Sequence, residues 1–253
     1  MKLFGSNYIK KLLHLHSINK PTKQPRVRHK VIFFLFCMIL AGLFGCKESR
    51  VKSIDEGEIH YSITFENRNA VLPDELMPDN LIVKFKDDKI IMEITSPIGN
   101  NGVFNIIDPD NNQIRTYLRI LNMKYYYQGS TDEIPPGIDP LENMEIDFTG
   151  VEKEILDLKC YQAIASLPDR DFSYELWFTN EIDLDKPNHS TPFNSIDGVL
   201  LNFFFVMGDI IIEFEAEGIY IRQIPDKAFE KSGSYRRIDR KSMDRIIAKM
   251  MSL

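Results

Sequence analysis

Few residues of this 253-residue chain have types and spacings that could do chemistry. Cys160 could be a reactive thiol, but only Lys159 stands beside it to lower its pKa, and a free cysteine within a strand pattern is typical of core packing. His60 and His189 belong to no H-x-H or HExxH pair, which disfavours a zinc site. No G-x-S-x-G elbow or phosphate-binding glycine loop occurs. The sequence therefore predicts no enzyme, no metal site and no cofactor.

The stretch DPDNNQIRTYLR, from Asp108, begins like a calcium-binding loop, with side-chain oxygens at alternate positions. Its sixth position is Gln113, where a calcium loop needs glycine, and its twelfth is Arg119, where a bidentate glutamate should stand. Asp, Pro and Asn between two strands are typical of a turn. We therefore predict a turn here and no calcium.

Cys46 has the most specific chemical setting in the chain. Leu43-Phe44-Gly45-Cys46 resembles a bacterial lipobox, with an aliphatic residue three positions before the cysteine and glycine directly before it. The resemblance implies that the thiol accepts a diacylglyceryl group and that cleavage after Gly45 leaves Cys46 as an acylated N-terminus. Two alternatives stay open: a short uncleaved anchor, or ordinary secretion with Cys46 left free.

The apolar run Val31–Gly45 supports cleavage. As a helix it would span about 22 Å at roughly 1.5 Å per residue, which is short for a hydrocarbon core of about 30 Å. Eight basic residues and no acidic one precede it, the pattern of a secretory signal. We predict a lipoprotein signal peptide over 1–45, a tether over 46–56 and a single β-rich domain over 57–253. The acyl chains would hold the protein at a membrane.

Cleavage would change the charge balance of the chain. Removing the eight basic residues of 1–45 from a total of 31 leaves 23 against 37 acidic residues, a net charge of −14. Such a surface argues against nucleic acid as a partner, because phosphate binding needs clustered Lys and Arg. With Cys46 acylated, Cys160 has no partner, so the mature protein is predicted to contain no intramolecular disulfide.

Alternation of apolar and polar residues predicts antiparallel strands along most of the chain after residue 57. In EIHYSITF, for example, Ile59, Tyr61 and Ile63 share one face. LIVKFKDDKIIMEIT predicts a hairpin that turns at Asp87-Asp88. The even spacing predicts a mainly β (α+β) fold, a large antiparallel curved sheet or open half-barrel.

One strand departs from the alternation, since Val199–Val206 is apolar on both faces except at Asn202. Such a strand needs cover on both sides. The predicted cover is a C-terminal helix whose apolar residues follow helical spacing. Two long segments, 129–143 and 180–198, are either functional lids or disordered connections. The apolar helix residues are Met243, Ile246, Ile247, Met250 and Met251.

Five stretches mark the order of elements along the chain: GEIHYSITF, Met77-Pro78, KEILDLKCYQAIA, YELWFTNEI and AFEKSGSYRRI. This order resembles that of uncharacterised envelope lipoproteins of the GLPGLI-like and related domain-of-unknown-function families. These are similar in architecture to the outer-membrane lipoprotein carriers LolA and LolB. The resemblance implies an open β-barrel with an apolar concavity and carries over no catalytic residue.

These observations lead to two hypotheses about function. The first is a lipid-anchored envelope protein that faces the periplasm or the surface; the outer membrane is favoured, and the inner membrane stays open. It would bind a lipid, or the acyl chains of another lipoprotein, in a half-barrel cavity lined by Trp177, Phe204, Met243 and Met250. The alternative is an envelope scaffold that binds a protein partner and has no ligand cavity. Large apolar side chains fit both, because a filled core has the same composition as a ligand cavity.

Overall fold

The structure is a computed structural model that describes residues 53–66, 77–97, 101–168, 172–208, 210–230 and 233–251. The predicted signal peptide, the predicted acylation site Cys46 and the tether up to residue 52 lie outside these residues. Across the described ranges, no helix has both the length and the apolar character needed to cross a membrane.

The described residues form one twelve-stranded sheet and a C-terminal α-helix. Its strand order is β12-β6-β5-β4-β3-β2-β1-β11-β10-β9-β8-β7, so β12 and β7 are the edges and the sheet is not closed into a barrel. The strands are β1 (Glu56–Glu66), β2 (Asn80–Lys86), β3 (Lys89–Thr95), β4 (Gly102–Asp108), β5 (Gln113–Ile120), β6 (Met123–Gly129), β7 (Glu145–Ile155), β8 (Leu158–Leu167), β9 (Phe172–Thr179), β10 (Val199–Met207), β11 (Ile210–Tyr220) and β12 (Arg236–Arg237), and the helix is α1 (Arg240–Met251).

Two antiparallel meanders make up this sheet. Strands β1 to β6 follow one another in space, and so do β7 to β11; pairing of β1 with β11 joins the two halves. The short β12 runs parallel to β6 at the other edge. The predicted mainly β fold, with a large open antiparallel sheet and a C-terminal helix, is confirmed.

The two predicted turns have the backbone geometry that their residues favour. Asp87 and Asp88 both have positive φ, 49° and 61°, as a tight hairpin turn requires of its two central residues. The stretch after Asp108 forms a 3₁₀ turn over Pro109–Asn111 and ends in left-handed Asn112. The Asn112 side chain accepts hydrogen bonds from the hydroxyl groups of Ser130 and Thr131.

The main core lies on the face of the sheet that carries Ile59 and Tyr61, here called the inner face. Cross-strand pairing extends this face from β1 through Leu81 of β2 to Ile94 of β3 and onward to β6. One polar pair interrupts it, since the fully buried Thr116 hydroxyl donates to Asn105 Oδ1 at 2.7 Å. The inner-face core includes Ile59, Tyr61, Leu81, Phe85, Met92, Ile94, Val103, Ile107, Ile114, Leu118, Phe203, Phe205, Phe214, Met243 and Ile247.

The opposite, outer face carries a second core that the alternation did not predict. The segment between β11 and β12 crosses the outer face of β3 to β6 and buries Ile224 and Phe229 there. As a result every residue of β4 is buried. The prediction that only Val199–Val206 is covered on both faces was therefore incomplete. The outer-face core consists of Ile91, Phe104, Ile106, Tyr117, Ile224 and Phe229.

Strand β10 is buried on both faces, as predicted, and the structure shows what covers it. Its pairing with β9 extends only from Val199 to Asn202, with a bulge between Leu200 and Asn202. Beyond the bulge, the amide of Asp139 donates to the carbonyl of Val206 at 2.8 Å. Phe193 of the loop 180–198 also packs against the rings of β10, and Ile247 of α1 lines a cavity together with Met207. The cover therefore includes the two long loops as well as α1.

Tyr61 forms a buried hydrogen bond to the bulged part of β10. Its buried hydroxyl donates to the carbonyl of Leu200 at 2.8 Å, on the strand that the bulge distorts. Changing Tyr61 to Phe leaves that carbonyl without this donor, so we expect the free energy of unfolding to fall by about 1 to 2 kcal/mol. Urea unfolding followed by fluorescence measures this. An unchanged midpoint would contradict the structural role of the hydroxyl.

Candidate functional site

Three segments fill the space against the inner face. The connection from β6 to β7 buries Ile138 and Leu141, and the connection from β9 to β10 buries Phe193 and Ile196. Helix α1 adds Met243. The half-barrel is therefore largely filled by its own chain, and the remaining space is divided into separate cavities.

Among the cavities of the described residues are two small apolar ones and one larger cleft of mixed polar and apolar lining. The "helix cavity" lies beside α1 and the "loop cavity" beside the loop 180–198; each has a volume of about 50 Å³. The "rim cleft", between the turns and the same loop, has a volume of about 210 Å³. The helix cavity is lined by Met77, Pro78, Ile94, Ser96, Asn101, Gly102, Val103, Met207, Ile212, Ile247 and Met250.

Polar contacts fix the first turn of α1. Asp239 caps the helix, because its side chain accepts from the amide of Ser242 at 2.9 Å and from the Ser242 hydroxyl at 2.8 Å. These bonds hold the pKa of Asp239 below its usual range. The helix residue Asp244 accepts from the amide of Gly137 at 2.9 Å. The N-terminal part of α1 is thereby tied to the loop that follows β6.

A second network ties α1 to strand β6. The Tyr127 hydroxyl donates to Glu133 Oε2 at 2.5 Å, and Arg240 Nη1 lies 3.2 Å from the same oxygen. The bond from Tyr127 lowers the pKa of Glu133, as do the backbone amide of Ser130 and the Arg240 guanidinium, against an opposing effect of burial. The network fixes the start of α1 in place.

The second half of α1 makes its close contacts through apolar side chains. Gly137 has φ +90°, and a Cβ there would lie 2.6 Å from Ile247 Cγ2, so this position requires glycine. Ile247 and Met250 line the helix cavity together with Met77 and Met207. Methionine has three flexible torsions and adapts to the shape of its neighbours, so these walls can repack around a guest molecule.

The four predicted ligand-contacting residues lie in different places. Met250 of α1 lines the helix cavity. Met243 belongs to the same helix, and its side chain is fully buried in the core. Trp177 lies under the Lys153 ammonium, whose Nζ is 3.8 Å from the ring centroid. Phe204 lines none of the three cavities.

Phe204 packs within a cluster of aromatic rings. Its ring centroid lies 5.2 Å from both Phe172 and Tyr174 and 5.5 Å from Phe193. Cys160 is buried as well, which confirms its predicted packing role. Burial raises the pKa of its thiol, which opposes reactivity.

The two histidines of the described residues, His60 and His189, lie apart and have different partners. His60 Nε2 is 2.6 Å from Oε1 of buried Glu58, which also forms an ion pair with Arg222. Burial alone would raise the pKa of Glu58, but the bonds to His60 and Arg222 outweigh it and lower the pKa. His189 instead lies 3.4 Å from Asp132. Within the described residues, no three metal-binding side chains come together.

Sequence reasoning missed most of the helix cavity. The sequence patterns include Met77 only within Met77-Pro78 and give no indication of a role for Met207. Ile94 and Ile212 carry the ordinary pattern of strand residues. No local signal distinguishes them, because these positions come from β3, β10, β11 and α1 and meet only in the folded chain.

Comparison with known proteins shows similarity of fold. No protein-family model matches the chain and no curated protein matches it, so the resemblance to GLPGLI-like families stays a prediction. A structure of PNGF-II in one crystal form matches with a TM-score of 0.50 at 18% identity, over 77% of this chain and 34% of that one. A second crystal form gives 0.48 at 16% identity, over 78% and 33%. The chain thus spans about a third of the length of PNGF-II.

Two mycobacterial proteins are also structural neighbours. The lipoprotein LppX of Mycobacterium tuberculosis matches over 78% of this chain and 98% of its own, with a TM-score of 0.31 and 10% identity. LprF of Mycobacterium bovis matches over 68% and 90%, with a TM-score of 0.27 and 10% identity.

Proposed function

We propose that this protein is a lipid-anchored protein of the bacterial cell envelope that binds an apolar ligand, such as an acyl chain, in the helix cavity. The supporting observation is the composition of that cavity. Three methionines from distant parts of the chain, Met77, Met207 and Met250, meet there with aliphatic strand residues under the second half of α1. Burial of the ligand supplies about 25 cal/mol per Å² of apolar surface removed from water.

Binding requires the end of α1 to yield. A volume of about 50 Å³ holds one or two water-sized groups, whereas ligand pockets are commonly about 300 Å³ or more. The polar network around Arg240 and Asp244 holds the start of the helix, so the ligand displaces Ile247 and Met250 farther along. In this proposal α1 covers the cavity: its first turns stay fixed, and its last turn moves when the ligand binds.

The membrane attachment in this proposal comes from Cys46. Its acylation is supported by the Leu43-Phe44-Gly45-Cys46 pattern and by the short apolar run before it. Two or three acyl chains would hold the protein at the membrane almost permanently. We place the protein in the outer membrane, facing the periplasm or the surface, and assign it no catalytic activity.

Binding of a fluorescent C16 fatty acid to the purified full-length chain tests the ligand site. We expect Met250→Glu to weaken fatty-acid binding at least tenfold. The new carboxylate at the cavity wall would lose its hydration when the acyl chain of the fatty acid enters the cavity. Met123→Glu is the matched control: Met123 is exposed and does not line the cavity, so this variant should bind like the original protein.

Hydrogen exchange adds a second measurement on the same samples. The bound fatty acid should change the protection of amides 246–251 while leaving β8, which does not line the helix cavity, unaffected. Equal affinity in both variants, or no binding by the original protein, would contradict the proposal.

The alternative function is an envelope scaffold. It is favoured by strand β7, an edge of the sheet that exposes Phe148 and Val151 by 57% and 49%. If the fatty acid does not bind, capture of envelope partners with Phe148→Lys as the defective variant becomes the next experiment.

A further inference from the structure

The rim cleft is the largest of the three cavities and lies at the end of the strands opposite to the helix cavity. Its walls come from the turn between β2 and β3, the turn between β4 and β5, and the loop 180–198. Unlike the helix cavity, it combines charged groups of both signs with an apolar floor. Its lining residues are Asp88, Ile90, Ile107, Pro109, Thr131, Asp185, Lys186, Pro187, His189 and Ser190.

Hydrogen bonds fix the shape of this cleft. The amide of Asp185 donates to Asp88 Oδ1 at 2.8 Å, which ties the loop to the hairpin turn. The Ser190 hydroxyl donates to the carbonyl of Thr131 at 2.8 Å, and this bond is buried. These two hydrogen bonds therefore fix the loop 180–198 against the hairpin turn at Asp88 and against Thr131.

Charged groups of both signs remain available at its rim. In the described part of the chain, no hydrogen bond or ion pair engages the Asp185 carboxylate or the Lys186 ammonium. His189 is half-exposed, and Asp132 lies 3.4 Å from its Nε2. The rim thus offers carboxylates for a cation and the Lys186 ammonium for an anion, whereas His189 faces Asp132.

The floor of the cleft is apolar and leads inward. Ile90 and Pro187 line both the rim cleft and the loop cavity, so the two spaces are separated only by these shared walls. An apolar group placed at the floor would contact Ile90 and Ile107. The cleft volume of about 210 Å³ corresponds to about seven water-sized groups, which limits the occupant to a small molecule.

We propose that the rim cleft binds a small zwitterion with an apolar side chain, an amino acid of the leucine type. Its ammonium would lie against Asp88 and Asp185, its carboxylate against Lys186, and its side chain on the apolar floor. A ligand with one charge would leave one set of rim charges unpaired. This site goes beyond the proposed function, since it shares no lining residue with the helix cavity.

Titration calorimetry of the full-length chain with leucine tests the proposal. Isocaproate lacks the ammonium of leucine, and isopentylamine lacks its carboxylate. We expect each to bind at least tenfold more weakly than leucine, because each loses one set of charge-assisted hydrogen bonds. Equal binding of all three, or no binding of leucine, would overturn the assignment.

Two variants locate the site. Lys186→Asn removes the ammonium and keeps a residue that tolerates the positive φ of 46° at this position. Asp185→Asn removes a carboxylate. Each should weaken leucine binding at least tenfold, while Lys241→Asn on α1 and Asp157→Asn in the turn between β7 and β8 should leave it unchanged.

The outcomes separate this site from the helix cavity. Leucine binding that survives both cleft variants would place it elsewhere and refute the assignment. If Met250→Glu loses fatty-acid binding but still binds leucine, the result concerns the helix cavity only, and leucine binding in the rim cleft remains supported. Because the three ligands are compared on the original protein, the proposal stays testable even if a variant does not fold.

Discussion

Replacing Phe193 with alanine is expected to lower the free energy of unfolding by about 3 to 5 kcal/mol. Phe193 comes from the loop 180–198 and is fully buried. Its ring centroid lies 6.4, 5.5 and 6.3 Å from those of Phe203, Phe204 and Phe205. Removing the ring leaves a cavity against three residues of β10, and the surrounding strands can collapse into it only in part.

Urea unfolding of Phe193→Ala and Phe148→Ala side by side measures this effect. Phe148 is exposed on the edge strand β7, so the same chemical change there should alter stability by less than about 1 kcal/mol. A loss at Phe193 no larger than at Phe148 would show that the loop does not pack against β10. It would also mean that the loop 180–198 is a lid over open space.

The second large effect concerns pH. We expect the protein to lose about 2 kcal/mol of stability as the pH rises from about 4.5 to about 7, because of Glu213. Burial raises the pKa of Glu213 to about 7, and a hydrogen bond and charge repulsion from Glu66 add to the shift. The folded state therefore holds this proton more tightly than the unfolded chain does, so the contribution of Glu213 to stability is fully present below about pH 4.5 and is lost as the pH rises through about 7.

Thermal or urea unfolding at a series of pH values measures this decline. Glu213→Gln keeps the size of the side chain and removes its titration, so the decline between pH 4.5 and 7 should shrink and the variant should be more stable than the original protein at pH 8. Glu217→Gln, on the same strand β11, is the control and should leave the decline unchanged. If the stability of Glu213→Gln declined between pH 4.5 and 7 as much as that of the original protein, titration of Glu213 beside Glu66 would not be the cause.

Much of the sheet could be predicted from local patterns. The alternation in Ile59, Tyr61 and Ile63 identifies the buried face of β1, because side chains of a strand point to opposite faces in turn. Asp87-Asp88 identifies the hairpin turn between β2 and β3, because aspartate tolerates positive φ. These signals depend only on residues that are close together in the chain, so they can be detected in the sequence without knowledge of the tertiary structure.

The second core and the candidate sites could not be predicted in this way. The segment that buries Ile224 and Phe229 on the outer face has no strand or helix period, so nothing local indicates which face it covers. Phe193 belongs to a loop rich in polar residues, yet it is fully buried against the aromatic rings of β10. Their burial depends on contacts with residues that are distant in the chain.

The sequence by itself determined the mainly β class, the strand positions, the C-terminal helix and the pattern around Cys46, because periodicity and turn chemistry are local properties. Only the tertiary structure decided that the half-barrel is filled by two loops and a helix. It also decided that Met77, Met207 and Met250 share a cavity and that Asp88 and Lys186 share a cleft. Packing brings such residues together across long stretches of chain, and that juxtaposition has no signature in any short segment.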